Sequence, residues 1–223
     1  MHRRSRTALS VSAAFLVAAP LLAACGSEAH PGAAAVVGGN RITVGQLEGQ
    51  VNELRDAQRA VTDTDEQYAE LLKEQCDAAR RMETPQPCDP TRGTLHRMVF
   101  DRVIDRVAKD EGISVTRKEV QTLRGASEKE LGGPEGLERA WLLRGGVAPG
   151  QLDGRLRTQI QIDKLVRKLG EAGLDKAATK ASDDLDINLN PRYGAWDVKE
   201  GGRVDIERAW LREVSGAATA QGA

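Results

Sequence analysis

The chain has 223 residues, of which 29% are charged and only 3% aromatic, with a formal net charge of −1. That length suits one domain plus a targeting segment and a tail, and the balance of charge leaves no basic footprint for nucleic acid. The residues available for a core are chiefly Leu, Val, Ile and Ala, which fits a mostly helical, charge-covered body.

The first segment is a targeting sequence. Arg3, Arg4 and Arg6 form a positive start, and Ala8 to Leu22 is an apolar run too short for a comfortable membrane span. Leu22-Ala23-Ala24-Cys25-Gly26 then has the form of a bacterial lipobox, with small residues before a cysteine whose thiol takes a diacylglycerol. An ordinary secretory signal with a chance cysteine is the alternative. Removal of residues 1–24 takes away three arginines and no acid, so the net charge moves from −1 to −4. Acyl chains on Cys25 contribute about 0.8 kcal/mol per buried CH₂, enough for two or three chains to anchor a protein stably. The expected location is the extracytoplasmic face of the cell membrane, held through this lipid.

Residues 25–33 read as the lipidated cysteine and a flexible tether. Ala34-Ala35-Val36-Val37, then Gly38-Gly39-Asn40, then Arg41-Ile42-Thr43 predict a small hairpin. Thr43 and Gln46 have the spacing of a capping box. It opens a helix to about Val61, with Leu47, Val51, Leu54, Gln58 and Val61 on one side. After the break at Thr62-Asp63-Thr64-Asp65, Glu66 to Arg81 resumes as helix, with Tyr68, Leu71, Leu72 and Cys76 along one side.

Cys76 and Cys88 form an even pair across a loop with Pro85 and Pro87. In an oxidising compartment a bridge between them is expected, worth about 3 kcal/mol in the chain-entropy model; two free thiols are the alternative. Two cysteines without a second pair or nearby His cannot complete the four ligands of zinc. Asp89-Pro90 reads as N-cap and N1 of the next helix.

The stretch from Thr94 to Ile113 is the one on which the others are expected to pack. Phe100, Val103, Ile104, Val107 and Ala108 fall at i, i+3, i+4, i+7 and i+8, a continuous helical stripe widened by Met98 and Val99. Gly112 reads as its left-handed terminator, with Ile113 folding back. Thr116 and Glu119 form a second capping box for a short helix through Leu123. Gly125 to Gly136 is expected to be a loop and Leu137 to Arg144 a short helix. Pro149 reads as N1 of a long helix with Leu152, Leu156, Ile160, Leu165, Val166 and Leu169 in line; Ile162 lies off that stripe, free for a partner or client. Gly170 and Gly173 are expected to loosen the chain. Asp186 to Pro191 has strand alternation and is expected to pair with Val36-Val37 or Arg41-Ile42. Beyond Trp196 the pattern fades: Val204 to Val214 reads as strand or helical turn, and 198–223 as a partly disordered extension.

This order of parts resembles the N-terminal chaperone domain of the SurA/PrsA-type extracytoplasmic foldases. The resemblance runs over roughly 34–197 and rests on Ala35-Val36-Val37 to Gln46, Arg102-Val103-Ile104-Asp105, Ile113 to Thr116, Glu119-Val120, Gly132-Gly133, Gly146-Val147 to Leu152, the Leu156–Leu169 helix and Asn190 to Asp197. It implies a mainly α-helical, SurA-N-like domain with a small two- or three-stranded β clamp pairing the chain's two ends. It also implies a non-catalytic holdase for unfolded or partly folded secreted polypeptides, without cofactor or small-molecule substrate. Gly38-Gly39-Asn40 departs from the family's Asn-Gly turn. No parvulin isomerase domain fits in Glu171 to Asp184. A structural or adaptor lipoprotein with one envelope partner is the alternative.

Client binding is expected in an apolar groove between the central helix and the Leu137–Leu143 helix, at Met98, Trp141, Leu142 and Leu143, since adaptable Met and flat Trp suit varied apolar segments. The competing role for Trp141 and its leucine neighbours is to fill the core. His2 and His30 lie in the signal and tether, and His96 reads as a capping or surface residue. No histidine has partners for nucleophilic catalysis. Asp63/Asp65 and Asp183-Asp184 lack a calcium-loop pattern, and Gly132-Gly133-Pro134 lacks phosphate-loop context.

Overall fold

The computed structural model describes residues 32–81 and 89–205. Strand β1 (Ala33–Val37) and strand β2 (Asn40–Thr43) form the predicted antiparallel hairpin, pairing Val37 with Asn40 and Val36 with Arg41. Gly38 and Gly39, at φ +58° and +75°, make the two-residue turn, the backbone sign that matches strand twist. Gly38 is needed for a second reason. Its N–H donates to the carbonyl of Leu185 at 2.6 Å, and a Cβ there would lie 2.7 Å from the Leu185 side chain.

Helix α1 (Val44–Thr62) starts at the capping box, in which Thr43 accepts from the Gln46 N–H and Gln46 accepts from the Thr43 N–H. It buries Leu47, Val51 and Leu54. Helix α2 (Glu66–Arg81) follows the Thr62–Asp65 break. Tyr68 is buried, but Leu71 points outward at 41% exposure, so the expected stripe of α2 narrows to Tyr68, Leu72 and Cys76. Tyr68 packs with Leu54 of α1 and with Leu142 and Ala148, while the Leu71 side chain is left exposed.

Helix α3 (Pro90–Asp110) begins where expected, with Asp89 as N-cap and Pro90 at N1. Val99, Val103, Ile104, Val107 and Ala108 are buried, while Phe100 is half-buried. It lies against α1, β1 and three later elements, which makes it the centre of the molecule. Gly112, at φ +66°, ends it: Ile113 N–H donates to the Ala108 carbonyl at 2.7 Å and Gly112 N–H to Lys109, the paired bonds of a Schellman turn.

Helix α4 (Arg117–Glu130) starts at the Thr116/Glu119 capping box and runs seven residues past the predicted end at Leu123. The stretch from Gly125 to Gly136 is therefore not a loop. An interior glycine costs roughly 1 kcal/mol against alanine, and the Arg124–Glu128 pair one turn apart supports this part of the helix. The break is confined to Leu131-Gly132-Gly133, where Gly133 N–H donates back to Glu128. Helix α5 (Pro134–Gly145) takes Pro134 at N1 and ends on left-handed Gly146. Pro149–Gln151 is a single 3-10 turn that leads into helix α6 (Leu152–Leu169), so Pro149 starts that turn rather than the α-helix itself.

Helix α7 (Glu171–Asp184) is the element that sequence reading passed over. Gly170 and Gly173 do not loosen the chain. Leu174, Ala177, Ala178, Ala181 and Leu185 make a small-residue stripe that packs on α3 and α6. Ile162 joins the same core rather than facing outward. Strand β3 (Asn188–Leu189) then returns to β1, pairing Leu189 with Ala35 and Asn188 with Val36. The sheet order β2-β1-β3 thus puts β1 in the middle, and the returning strand selects β1 over β2. Asn190 fastens the closure, its amide donating to Ala34 and its side chain to Ala33. Strands β4 (Ala195–Asp197) and β5 (Gly202–Val204) form a second hairpin, which carries the described chain past 197 and sets β5 against α3. The expectations for Ile206 to Val214 and the tail lie outside the described residues.

The described residues are mainly α-helical, with seven α-helices, a small three-stranded antiparallel sheet and a separate two-stranded one. No helix among them is long and apolar enough to cross a membrane.

Candidate functional site: a polar cleft and two apolar hollows

The four residues predicted to line one groove between α3 and α5 are not brought together: Met98 and Trp141 line different hollows, and Leu142 and Leu143 face a separate core. Leu142 is 2% exposed and fills a small core with Leu54, Tyr68 and Ala148. Leu143 is half-buried against that core. Trp141 is half-buried on its other side, packed with Val120, Leu137, Leu152 and Leu156. Four consecutive residues, 140 to 143, spread over more than half a helical turn's circumference, so they serve different neighbours. Trp141 still lines a hollow of about 320 Å³ with Leu131, Ala140 and Arg144. A second shallow hollow, about 410 Å³, lies on α4 over Leu123, Ala126 and Ile160. Met98 belongs to neither.

Met98 instead lines a third cavity of about 380 Å³, whose walls are mostly polar. One wall is α3, through Arg97, Met98, Asp101 and Arg102. The opposite wall is the entry to α6, through Gly150, Gln151, Gly154 and Arg155, with Gln50 of α1 between them. Each guanidinium is fixed by named partners. Arg97 donates to the Gly145 carbonyl at 3.1 Å and to Thr94 Oγ1 at 2.9 Å, tying α3 to the end of α5. Arg102 donates to the carbonyls of Asn40 and Arg41, tying α3 to β2. Arg155 pairs with Asp101 at 3.0 Å, and Thr158 Oγ1 donates to the same carboxylate oxygen.

Burial, followed by the like charge of Arg155, pulls Arg97 down to about 10. Burial lifts Asp101 above the ordinary 3.8, outweighing the opposing effects of Arg155 and Thr158. Sequence reading missed this cleft. Arg102 entered only among the residues that carry the family resemblance, and nothing in the spacing shows that Arg97, Asp101 and Arg155 meet.

His96 is neither a cap nor a surface residue. Its ring stacks on Trp196 at 5.6 Å and on Phe100 at 6.1 Å between centroids, joining α3 to β4. Burial lowers its pKa below 6.5, and the nearby charges of Arg203, Arg97 and Arg155 lower it further. Arg203 of β5 has a side chain only 3% exposed and donates to the carbonyls of Tyr193 and Val204. This stack, with the Arg92–Asp205 ion pair, links the second hairpin to the helical body.

The acidic pairs have ordinary structural roles. Asp65 caps α2 through the Tyr68 N–H and pairs with Arg139 of α5. Asp184 pairs with Lys180 and faces Arg106. Among the described residues no group of three or more His, Cys, Asp or Glu is placed to hold a metal ion. Cys76 is half-buried on α2; Cys25 and Cys88, and with them the lipidation and the Cys76–Cys88 bridge, lie outside the described residues.

No family model, curated protein or solved structure matches the chain.

Proposed function

We propose that this chain is a membrane-anchored extracytoplasmic lipoprotein whose helical body binds exported polypeptides without catalysis, as a chaperone or holdase. The observation that carries the reading is the pairing of β3 with β1. A strand just after the tether, closed by a strand that returns after the last helix, is the clamp that the resemblance to SurA/PrsA N-terminal domains implies. The lipobox at Leu22–Cys25 supplies the location. Binding would be reversible burial of apolar client segments on the α4–α5 side, where Leu131, Trp141 and Leu123 line the two hollows.

One observation favours the adaptor reading. Among the described residues, Leu71 and Leu131 are the exposed large hydrophobic side chains. A surface with so little apolar area suits one shaped partner better than many unfolded ones.

The test uses residues 26–223, purified oxidised, against two unrelated aggregating proteins followed by light scattering. A holdase suppresses both at stoichiometric amounts. Leu131→Glu, at an exposed site, should weaken that suppression while the melting temperature stays put. Suppression of neither protein removes the holdase reading and leaves the adaptor.

A further inference from the structure

The β4–β5 hairpin follows the closing strand and lies over α3. Beyond its junction with β3, the ring and polar contacts described between it and α3 are the stack of His96 on Trp196 and the Arg92–Asp205 ion pair at 3.1 Å. We infer that this hairpin is an acid-released cover on α3, with His96 as its proton-operated catch and Gly194 as its hinge. The inference is independent of the polypeptide-binding reading above.

Geometry is the first argument. Trp196 and Arg203 stand opposite each other across the hairpin, so their side chains share one face. The Arg203 side chain is 3% exposed, and a Cβ on Gly202 would lie 3.6 Å from the His96 ring. This fit carries a cost. Trp196 Nε1 and Arg203 Nε are buried donors with no acceptor among the described residues, and lifting the hairpin returns both to water. The chain enters the hairpin at Gly194, between the 3-10 turn Pro191–Tyr193 and β4, at φ +109°, a region that favours glycine. Rotation there moves the hairpin without disturbing the β1–β3 closure. The bond from Arg203 to the Tyr193 carbonyl spans the hinge and has to break when the hairpin lifts. Lifting bares Phe100 and Trp196, which now pack against the main core.

Charge is the second argument. The charges that act on the His96 ring are positive on each element: Arg203 on β5, Arg97 on its own helix and Arg155 on α6. The carboxylates nearby are engaged with other groups. Asp101 accepts from Arg155 and Thr158, and Asp197 from the Lys199 and Glu200 N–H groups. Asp205 accepts from Arg203 and pairs with Arg92, which also pairs with Asp89. Burial, then the three guanidiniums, hold the docked ring below 6.5, and a released ring returns to its ordinary value. Protonation therefore favours the released hairpin. Docking is undisturbed above 6.5 and weakens as pH falls from there toward the lowered docked value. Arg203 holds Asp205 below the ordinary 3.8, so the Asp205 ion pairs outlast this window.

The experiment uses the full chain in lipid nanodiscs. Hydrogen exchange, corrected for its intrinsic pH dependence, reads the hairpin, and the His96 ring signal in NMR reads the proton. Between about pH 7 and 4.5, protection of the hydrogen-bonded amides of β4 and β5 should fall by up to about tenfold per pH unit, the slope of one proton. Amides of α3 and β1 should keep their protection, and the loss should reverse at neutral pH. His96→Phe keeps a flat ring for the stack and cannot take the proton, so its hairpin should stay protected across the range. In the natural chain the His96 ring should titrate together with the loss of protection, a measurement that stands even if the variant does not fold. Hairpin protection that is flat with pH overturns the proposal. So does the same slope in folded His96→Phe, which would move the trigger to another group such as Asp101. A ring that titrates while the hairpin stays protected overturns it too, as does loss of α3 protection in step with the hairpin.

Discussion

Two regions of this molecule are built on different plans. The first comprises β1 to β3, the start of α1, α3, α7 and the C-terminal half of α6. It shares one continuous core of seventeen buried residues, from Ala34 to Tyr193, centred on Val99, Val103, Ile104 and Val107. The second comprises α2, α4 and α5 with the later part of α1 and the N-terminal half of α6, and has two small cores of five and four buried residues. Charged contacts supplement it: Arg124 reaches Glu128, Glu138 and Asp153 at once, and Arg139 joins α5 to Asp65 and lies over the Tyr68 ring. The two exposed large hydrophobic residues among those described, Leu71 and Leu131, lie in this second region. The difference teaches where stability and where adaptability reside. A closed sheet and one large core make a frame, and small cores beside a two-glycine turn make a part that can open locally.

The sharpest way to break this comparison is to damage the frame. Ile104→Ala removes a 1% exposed side chain from the large core and should cost about 2–5 kcal/mol, lowering the whole domain's denaturant midpoint in one transition. A cost below about 1 kcal/mol would mean that α3 is not central.

Leu142→Ala deletes the middle of a four-residue core and should cost about 2–3 kcal/mol, at the low end because that core is small and edged by half-buried residues. Hydrogen exchange should rise first in α2 and α5 while α3 amides stay protected. Equal acceleration in α3 would make the two regions one cooperative unit.

The smallest effect concerns pH and sharpens where the frame ends. The folded pKa of His96 is lowered from 6.5, so on acidification the unfolded chain takes up the proton first. The neutral ring's stabilisation is complete above 6.5 and is lost as pH falls through the lowered folded value. Between about pH 7 and 5, the melting temperature should therefore fall more for the natural chain than for His96→Phe. Parallel curves would show that the second hairpin does not depend on a neutral His96.

Much of the frame was legible from local pattern. The stripe of α3, the Gly112 terminator, both capping boxes and the Gly-Gly hairpin are each decided by neighbours within a few positions, whereas the strand expected over 186–191 shrinks to Asn188–Leu189 between the Asp186 turn and the 3-10 turn at Pro191. The misses share a cause. Helix α7 is written in alanines, whose weak apolar contrast hides a periodicity that Leu174, Ala177, Ala178, Ala181 and Leu185 do carry. The extension of α4 past Leu123 depended on Arg124 finding Glu128 and Asp153, which outweighs one interior glycine. Leu142 was read as groove because its side of α5 could not be known until α1 and α2 were in place to cover it.

The sequence alone determined the elements whose causes are local: where helices start and stop, which turn tolerates positive φ, and which face is apolar. Tertiary structure alone decided that β3 chooses β1, that His96 lies between Phe100 and Trp196, and that Arg97, Arg102, Asp101 and Arg155 face one cleft. The physical reason is range. Capping and periodicity act over one or two turns of chain, whereas a cleft is made by charges that share no local signal and meet only when separate helices pack on a common core.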